Sequence, residues 1–401
     1  MKHPRRAAPL GVGLLLAATG IGLIAGAIGA VAARIARVAR VVVTPAMRVA
    51  DVEVQAVDTA AQTITLSRTP DTELPGRYGL FTSGTAEYLK IGAVLRSDEE
   101  TVTRKLLTHI GRGASIAQAA AFSGWYFESP AELHVPYRDV EIATPVGASP
   151  AWLVPAGVGD DDGTGEVWAV VVHGRGTQRA ETIRAVPAFR EAGITSLLIS
   201  YRNDGVAPQS TSGLYGLGTT EWPDVEAAIE FALEHGARRI VLMGWSMGGA
   251  IALQTLVNTA HRESIAGLIL ESPVVDWRTV LRFQARALGM PPIAASATMG
   301  MLESGIASRM HRIGRVIDFD ALDMVARGVE LDRPILILHS DDDGYVPSDA
   351  SRRLAELRPD IVTLVPFATA RHTKLWNYDE ARWNTAIRDW LATNTLAPET
   401  D

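Results

Sequence analysis

Between Ala7 and Ala33 the chain carries no charged side chain, and beyond that run its apolar residues fall into shorter patterns. The run exceeds the roughly 20 residues that a helix needs to cross a hydrocarbon core, so it predicts a single membrane-spanning anchor within residues 1–43. Basic residues ahead of it and the small-x-small triplet Ala30-Val31-Ala32 also fit a cleaved signal peptide. The run is, however, longer than an h-region of roughly 7 to 15 residues. A buried soluble helix is the third reading. Lys2, Arg5 and Arg6 with the terminal amine lie before the run, and Arg34, Arg37, Arg40 and Arg48 lie after it. Orientation is therefore not set by the charge difference across the run.

After the run the period shortens to two. Val52 to Val57 and Gln62 to Leu66 alternate as strands, and Pro75-Gly76-Arg77-Tyr78-Gly79 is a turn cluster, which predicts a small, mainly β module over residues 44–132. Its lone His109 is read as packed or surface-exposed. From residue 133 to 396, strand-length apolar stretches alternate with helical ones, the pattern of βα units around a largely parallel sheet. Eight strands are expected: Val140–Ala143, Ala151–Val154, Val167–Val172, Ser196–Ser200, Ile240–Gly244, Gly267–Glu271, Pro334–Leu338 and Ile361–Val365. Helices are expected near Arg179–Ala192, Glu221–His235, Ala250–Asn258 and Asp379–Ala392, and the acidic stretch 159–165 reads as an exposed loop. Residues 279–325 interrupt the alternation with a helical insertion rich in Leu and Met, including Leu288, Met290, Met299 and Met310. Such an insertion predicts a cap whose flexible thioethers suit an apolar ligand, with ordinary core packing of the methionines as the alternative.

Composition narrows the chemistry. There is no cysteine, which excludes disulfides, thiolate metal sites and a cysteine nucleophile. Residues 1–50 contain basic residues and no acid, so the remainder is more acidic than the chain's net −7 and does not suit nucleic acid.

One motif carries the chemistry. Gly244-Trp245-Ser246-Met247-Gly248-Gly249 follows the apolar run Ile240 to Met243 and precedes the helix-forming stretch from Ala250 to Leu256. A serine forced out at a sharp strand-to-helix turn needs glycine neighbours, because side chains there would meet the backbone. To attack, its hydroxyl needs a base, and the base needs a carboxylate. Downstream, Pro334 to Leu338 ends in His339-Ser340-Asp341-Asp342-Asp343-Gly344-Tyr345-Val346-Pro347, and Ile361 to Val365 leads to His372.

These segments resemble the alpha/beta-hydrolase superfamily, and within it the serine aminopeptidase-like and prolyl-oligopeptidase-like hydrolases. The resemblance covers roughly residues 133–393. The family pattern His-Gly-x-x-Asp-x-x-Val-Pro is matched from His339 to Pro347 with Ser340 in place of glycine, and it selects Asp343 over Asp341 and Asp342. It implies an eight-stranded alpha/beta-hydrolase fold in which Ser246 is nucleophile, His372 general base and Asp343 its partner. The stretch His173-Gly174-Arg175-Gly176 resembles the oxyanion loop, so the backbone N–H groups of Arg175 and Met247 are implied as donors. The Arg175 side chain is expected in an exposed salt bridge, with an anionic substrate group as the alternative. Tyr201-Arg202 resembles the family's Tyr-Arg-Gly turn, and Arg202 is expected to tie loops together.

The expectation is a membrane-anchored serine hydrolase that cleaves an acyl ester or short peptide without metal or organic cofactor. A peptidase, an acyltransferase and a non-catalytic scaffold are the alternatives.

Overall fold

The computed structural model describes residues 33–45, 48–83, 87–157, 165–312 and 314–394. All of the uncharged run except Ala33, and all of the acidic loop except Gly165, lie outside these residues. Among the described residues no helix is long and apolar enough to cross a membrane.

The first described element, α1 (residues 33–43), alternates exposed arginines with small apolar residues. Ala39 and Val43 are fully buried in the main hydrophobic core, and Val43 O accepts from Tyr215 N at 2.7 Å. The sequence grouped this segment with the anchor. The structure packs it on the domain of residues 133–396, past the intervening β module, because its apolar positions recur at helical spacing and find a core to enter.

Residues 52–123 form a closed barrel of β1 (Val52–Asp58), β2 (Thr63–Ser67), β3 (Tyr78–Phe81), β4 (Tyr88–Ser97), β5 (Thr101–Leu106) and β6 (Ala119–Ser123). The strands are ordered β1-β2-β5-β4-β3-β6, and every neighbouring pair is antiparallel. Inward residues such as Ile64, Leu66, Tyr78, Leu80 and Ile91 fill it. Arg104 is the exception among them. Fully buried, it donates to Gly92 O at 2.9 Å, to Thr72 O and Leu74 O at 2.8 Å, and to Gly76 O at 2.9 Å. Burial pushes its guanidinium down to about 10. Arg104→Leu is expected to leave those carbonyls without their donor and to destabilise the protein by about 3 kcal/mol or more, read as a lower denaturant midpoint.

The second sheet has eight strands in the order β14-β13-β12-β11-β9-β10-β8-β7. They are β7 (Arg138–Thr144), β8 (Gly147–Val154), β9 (Val167–Val172), β10 (Thr195–Ile199), β11 (Arg239–Trp245), β12 (Ile265–Glu271), β13 (Ile335–Ser340) and β14 (Val362–Phe367). The pairs β7·β8 and β8·β10 are antiparallel and the rest are parallel. Parallel neighbours require crossovers, and these are supplied by α2 (Val186–Glu191), α3 (Trp222–Glu234), α4 (Met247–Asn258), α8 (Asp349–Leu357) and, between β12 and β13, the helical insertion described below. One apolar cluster holds α3 and α4, while another holds α2 and α9 (Glu380–Thr393). The central strands are therefore apolar on both sides, as in β9, where Trp168 to Val172 are all fully buried.

Residues 277–311 form three helices, α5 (Trp277–Ala287), α6 (Pro292–Glu303) and α7 (Gly305–His311). Asp276 caps α5 by accepting from Arg278 N. Of the methionines in the insertion, Met299 enters the core, Met290 faces the cavity described below and Met310 is exposed.

Candidate active site

Ser246 joins β11 to α4 with φ 51° and ψ −115°, a conformation costly for a residue with a side chain. Glycines make the turn possible. A Cβ on Gly244 would stand 2.4 Å from Gly248 O, and one on Gly248 would stand 2.3 Å from Val172 O. The turn is held by Ser246 N donating to Glu271 O and by Ser246 O accepting from Val274 N, both at 3.0 Å.

Two loops at the same edge of the sheet bring the other groups. His372 Nε2 lies 3.0 Å from Ser246 Oγ, and His372 Nδ1 lies 2.7 Å from Asp343 Oδ2. With its Nδ1 proton directed at the carboxylate, the imidazole presents Nε2 as acceptor to the hydroxyl. The other oxygen of Asp343 accepts from Tyr345 N and Val346 N at 2.8 Å each. Burial alone would raise the Asp343 carboxyl. The opposing charge of His372 and hydrogen bonds from His339 and His372 outweigh it and hold the group well below the usual carboxylate range.

The neighbours of Asp343 have separate tasks. Asp341 pairs with Arg352, while Asp342 Oδ1 accepts from Ser340 Oγ at 2.6 Å and from Arg371 N at 3.0 Å. Ser340 Oγ also accepts from Ala370 N at 2.9 Å. The hydroxyl that stands where the family pattern has glycine thus ties the acid loop to the histidine loop. His339, read from sequence as a packing residue, sits 3.4 Å from Asp343 Oδ2 and is fixed by Ser351 Oγ and Val346 O.

The histidine loop is anchored on both sides of His372. Thr373 N donates to Ser272 Oγ at 3.2 Å, Thr373 O accepts from buried Arg184 at 3.0 Å, and Leu375 N donates to Glu271 Oε1 at 3.3 Å. Arg371 and Thr373 both have positive φ, so the histidine is held by a strained bend that these bonds stabilise.

Arg175 lies on the loop after β9 and lines a cavity with Ser246, whereas Met247 is the first residue of α4 with a fully buried side chain. Among the described residues neither backbone N–H has a protein acceptor, which for Met247 is expected of a first-turn helix position. The loop is braced by Glu181, which accepts from Gly174 N at 3.1 Å and Thr177 Oγ1 at 2.6 Å. Buried His173 pairs with Asp204 at 3.2 Å and stacks on Tyr201. Among the described residues the exposed salt bridge expected of the Arg175 side chain is not formed. Its Nη2 donates to Val41 O and Thr44 O at 2.7 and 2.9 Å, capping the end of α1, whose last carbonyls lack intrahelical partners. Arg202, expected to tie loops together, instead ties the turn after β10 to the first turn of α3, with bonds of 2.8 and 2.6 Å from its guanidinium to Asp224.

Ser246 and His372 open into a cavity of about 600 Å³ with largely apolar walls. Val38, Val41 and Val42 of α1 form one wall, Val280, Leu281 and Leu288 of the insertion another, and Ala121 to Gly124 at the end of the barrel a third. The barrel is fastened there by Asp71, which pairs with Lys374 at 3.0 Å and approaches Arg371 at 3.8 Å. Sequence reasoning missed these contributions from α1 and the barrel. Only the basic pair Arg371 and Lys374 flanking His372 hinted at an acidic partner. No group of three or more His, Asp or Glu side chains suited to a metal is present among the described residues.

Comparison with known proteins bears on residues from both sheets. The family model described as the alpha/beta hydrolase family matches residues 169–385, more than half of the chain. A second model, described only as a domain of unknown function, matches residues 53–123, the barrel. A search of curated proteins finds no match. Among solved structures, an esterase of Pyrococcus furiosus is 17% identical, with 67% of this chain and 94% of that chain covered at a TM-score of 0.51. A thermophilic esterase from Thermogutta terrifontis is 21% identical, with 64% and 99% covered at a TM-score of 0.43. A puromycin-hydrolysing peptidase of Mycobacterium tuberculosis is 16% identical, with 84% of this chain but 45% of that chain covered at a TM-score of 0.47.

Proposed function

The chain belongs to the alpha/beta hydrolase family, and from that premise we propose that it is a serine hydrolase of acyl esters, tethered to a membrane by residues 7–33. The observation that carries this is the relay from Asp343 through His372 to Ser246, at 2.7 and 3.0 Å, opening into an apolar cavity. His372 Nε2 takes the hydroxyl proton as Ser246 Oγ bonds to the ester carbonyl carbon. The resulting oxyanion is received by the backbone N–H groups of Arg175 and Met247. Collapse of the tetrahedral intermediate breaks the bond to the leaving oxygen, which departs as the alcohol with the proton from His372. Water, deprotonated by the same imidazole, then releases the acid and restores the serine. Asp343 keeps the imidazole oriented and stabilises its cationic form throughout.

The walls around Ser246 favour an acyl group over a peptide, since apolar side chains, valines above all, supply most of the exposed wall surface. A fluorophosphonate probe is expected to label the wild-type protein on Ser246 and to leave Ser246→Ala unlabelled. Absence of labelling in correctly folded wild-type protein would sink the proposal. Turnover of short acyl esters compared with aminoacyl amides separates esterase from peptidase, and product analysis with added alcohols separates hydrolysis from acyl transfer.

A further inference from the structure

Two segments that wall the cavity, α1 and residues 277–316, differ in charge from the protein as a whole. The chain has net charge −7, yet across residues 277–316 Arg278, Arg282, Arg286, Arg309, Arg312 and Arg315 face a single acid, Glu303. Glu303 is taken by Arg278, at 2.6 Å. The other five arginines are exposed and enter no ion pair among the described residues. Beside them, α1 exposes Arg34, Arg37 and Arg40, with no acid anywhere in residues 33–50. The two basic elements touch, since Arg40 Nη1 donates to Arg312 O at 2.8 Å.

The mouth of the cavity is apolar. Val41, Val49, Leu288 and Tyr345 line the cavity while keeping 62%, 76%, 73% and 54% of their surface exposed, so they stand at its rim. Ile293 at the start of α6 is 77% exposed. Single exposed aliphatic residues are ordinary, but apolar residues around the opening of an apolar cavity form a surface that calls for a partner. The uncharged run 7–33 ends in sequence at residue 33, the first residue of α1, the helix whose valines wall the cavity.

We propose that this mouth docks on the anionic surface of a lipid bilayer and that the site draws the acyl ester of a lipid directly from it; the substrate half rests on the serine-hydrolase reading above. Arginine side chains meet lipid phosphates while the rim enters the headgroup region. An acyl chain then passes from hydrocarbon to the valine and leucine walls without crossing water, which keeps its transfer from being opposed by hydration.

The test uses the full chain with vesicles of a zwitterionic phospholipid, with and without an anionic phospholipid. Because the chain has no cysteine, Leu288→Cys offers one attachment point for an environment-sensitive fluorophore. Its emission is expected to shift to the blue on the anionic vesicles. The shift is expected to reverse when salt shortens the Debye length to about 3 Å. Adding Arg37→Glu and Arg286→Glu is expected to weaken docking by at least about tenfold. In unlabelled protein the same two changes should slow hydrolysis of a long-chain ester held in anionic vesicles while leaving turnover of a dissolved butyrate ester unchanged. Equal shifts on both vesicle types, insensitivity to salt, or full vesicle activity in the reversed variant would overturn the proposal. Each would point to residues 7–33, a second copy or another protein as the occupant. Docking without any Ser246-dependent ester turnover would overturn the lipid substrate and the serine-hydrolase reading while leaving the docking surface standing.

Discussion

Ser246→Ala and His372→Ala are each expected to lower kcat by about a millionfold, and the double variant to be no slower than either alone. The reason is geometric. At 3.0 Å from His372 Nε2, the Ser246 hydroxyl has no other base within reach among its hydrogen-bond partners, so the serine without the imidazole is a neutral alcohol and the imidazole without the serine has no proton to accept. Removing one therefore removes the use of the other. Residual turnover above the uncatalysed rate should survive, because the Arg175 and Met247 N–H groups and the cavity are untouched. Steady-state rates for both single variants and the double variant on one dissolved ester decide the matter. Additive losses would mean that the two side chains act independently, contrary to the proposed relay.

Asp343→Asn is expected to keep the fold and lose about 10⁴-fold in kcat. The amide can still accept from Tyr345 N and Val346 N, but it cannot balance the charge that His372 acquires, and its NH₂ group turned toward Nδ1 favours the wrong tautomer. The same substitution should change stability in acid. The folded carboxyl is held well below its unfolded value of about 3.9, so below that pH the unfolded chain takes up a proton that the folded chain refuses. Its contribution is complete above about pH 4 and is lost as the pH falls further. Asp343→Asn has no such proton to bind. Between neutral pH and pH about 3 its denaturant midpoint should fall less than that of the wild type. An equal fall in both would show that Asp343 carries no such linkage.

Much of the site could be read in sequence because its parts are local. The glycines around Ser246 answer to contacts within one turn and the adjacent strand, so the constraint is written next to the residue it serves. His372 and Asp343 follow apolar strands that announce their ends. The expected strands lie close to those observed, from Val167–Val172, which coincides, to Ile361–Val365, which is displaced by one or two residues. Helix α8 was missed. Its apolar face is short, Arg352 and Arg353 interrupt it in sequence, and only Ala350, Ser351 and Leu354 are buried.

What could not be read depends on partners distant in the chain. The barrel strands alternate visibly, but closure rests on β1 meeting β6 through Val52 and Ala120, and no local pattern encodes that pairing. Arg104 looks like any strand arginine until the carbonyls of Thr72, Leu74, Gly76 and Gly92 surround it. Arg175 was expected to face solvent or substrate, and its place under α1 depends on a helix end more than a hundred residues away in the chain.

The sequence by itself determined the hydrolase sheet and the chemical identities of Ser246, Asp343 and His372, because strand periodicity, turn glycines and loop motifs are short-range constraints. The tertiary structure alone decided the shape and surroundings of the cavity. It brought α1, the barrel end and the α5–α6 insertion around one serine, and it joined the basic helix α1 to the basic segment 277–316 through Arg40 and Arg312. Apolar burial rewards any dry neighbour equally. Which surfaces meet is therefore settled only when the whole chain has packed.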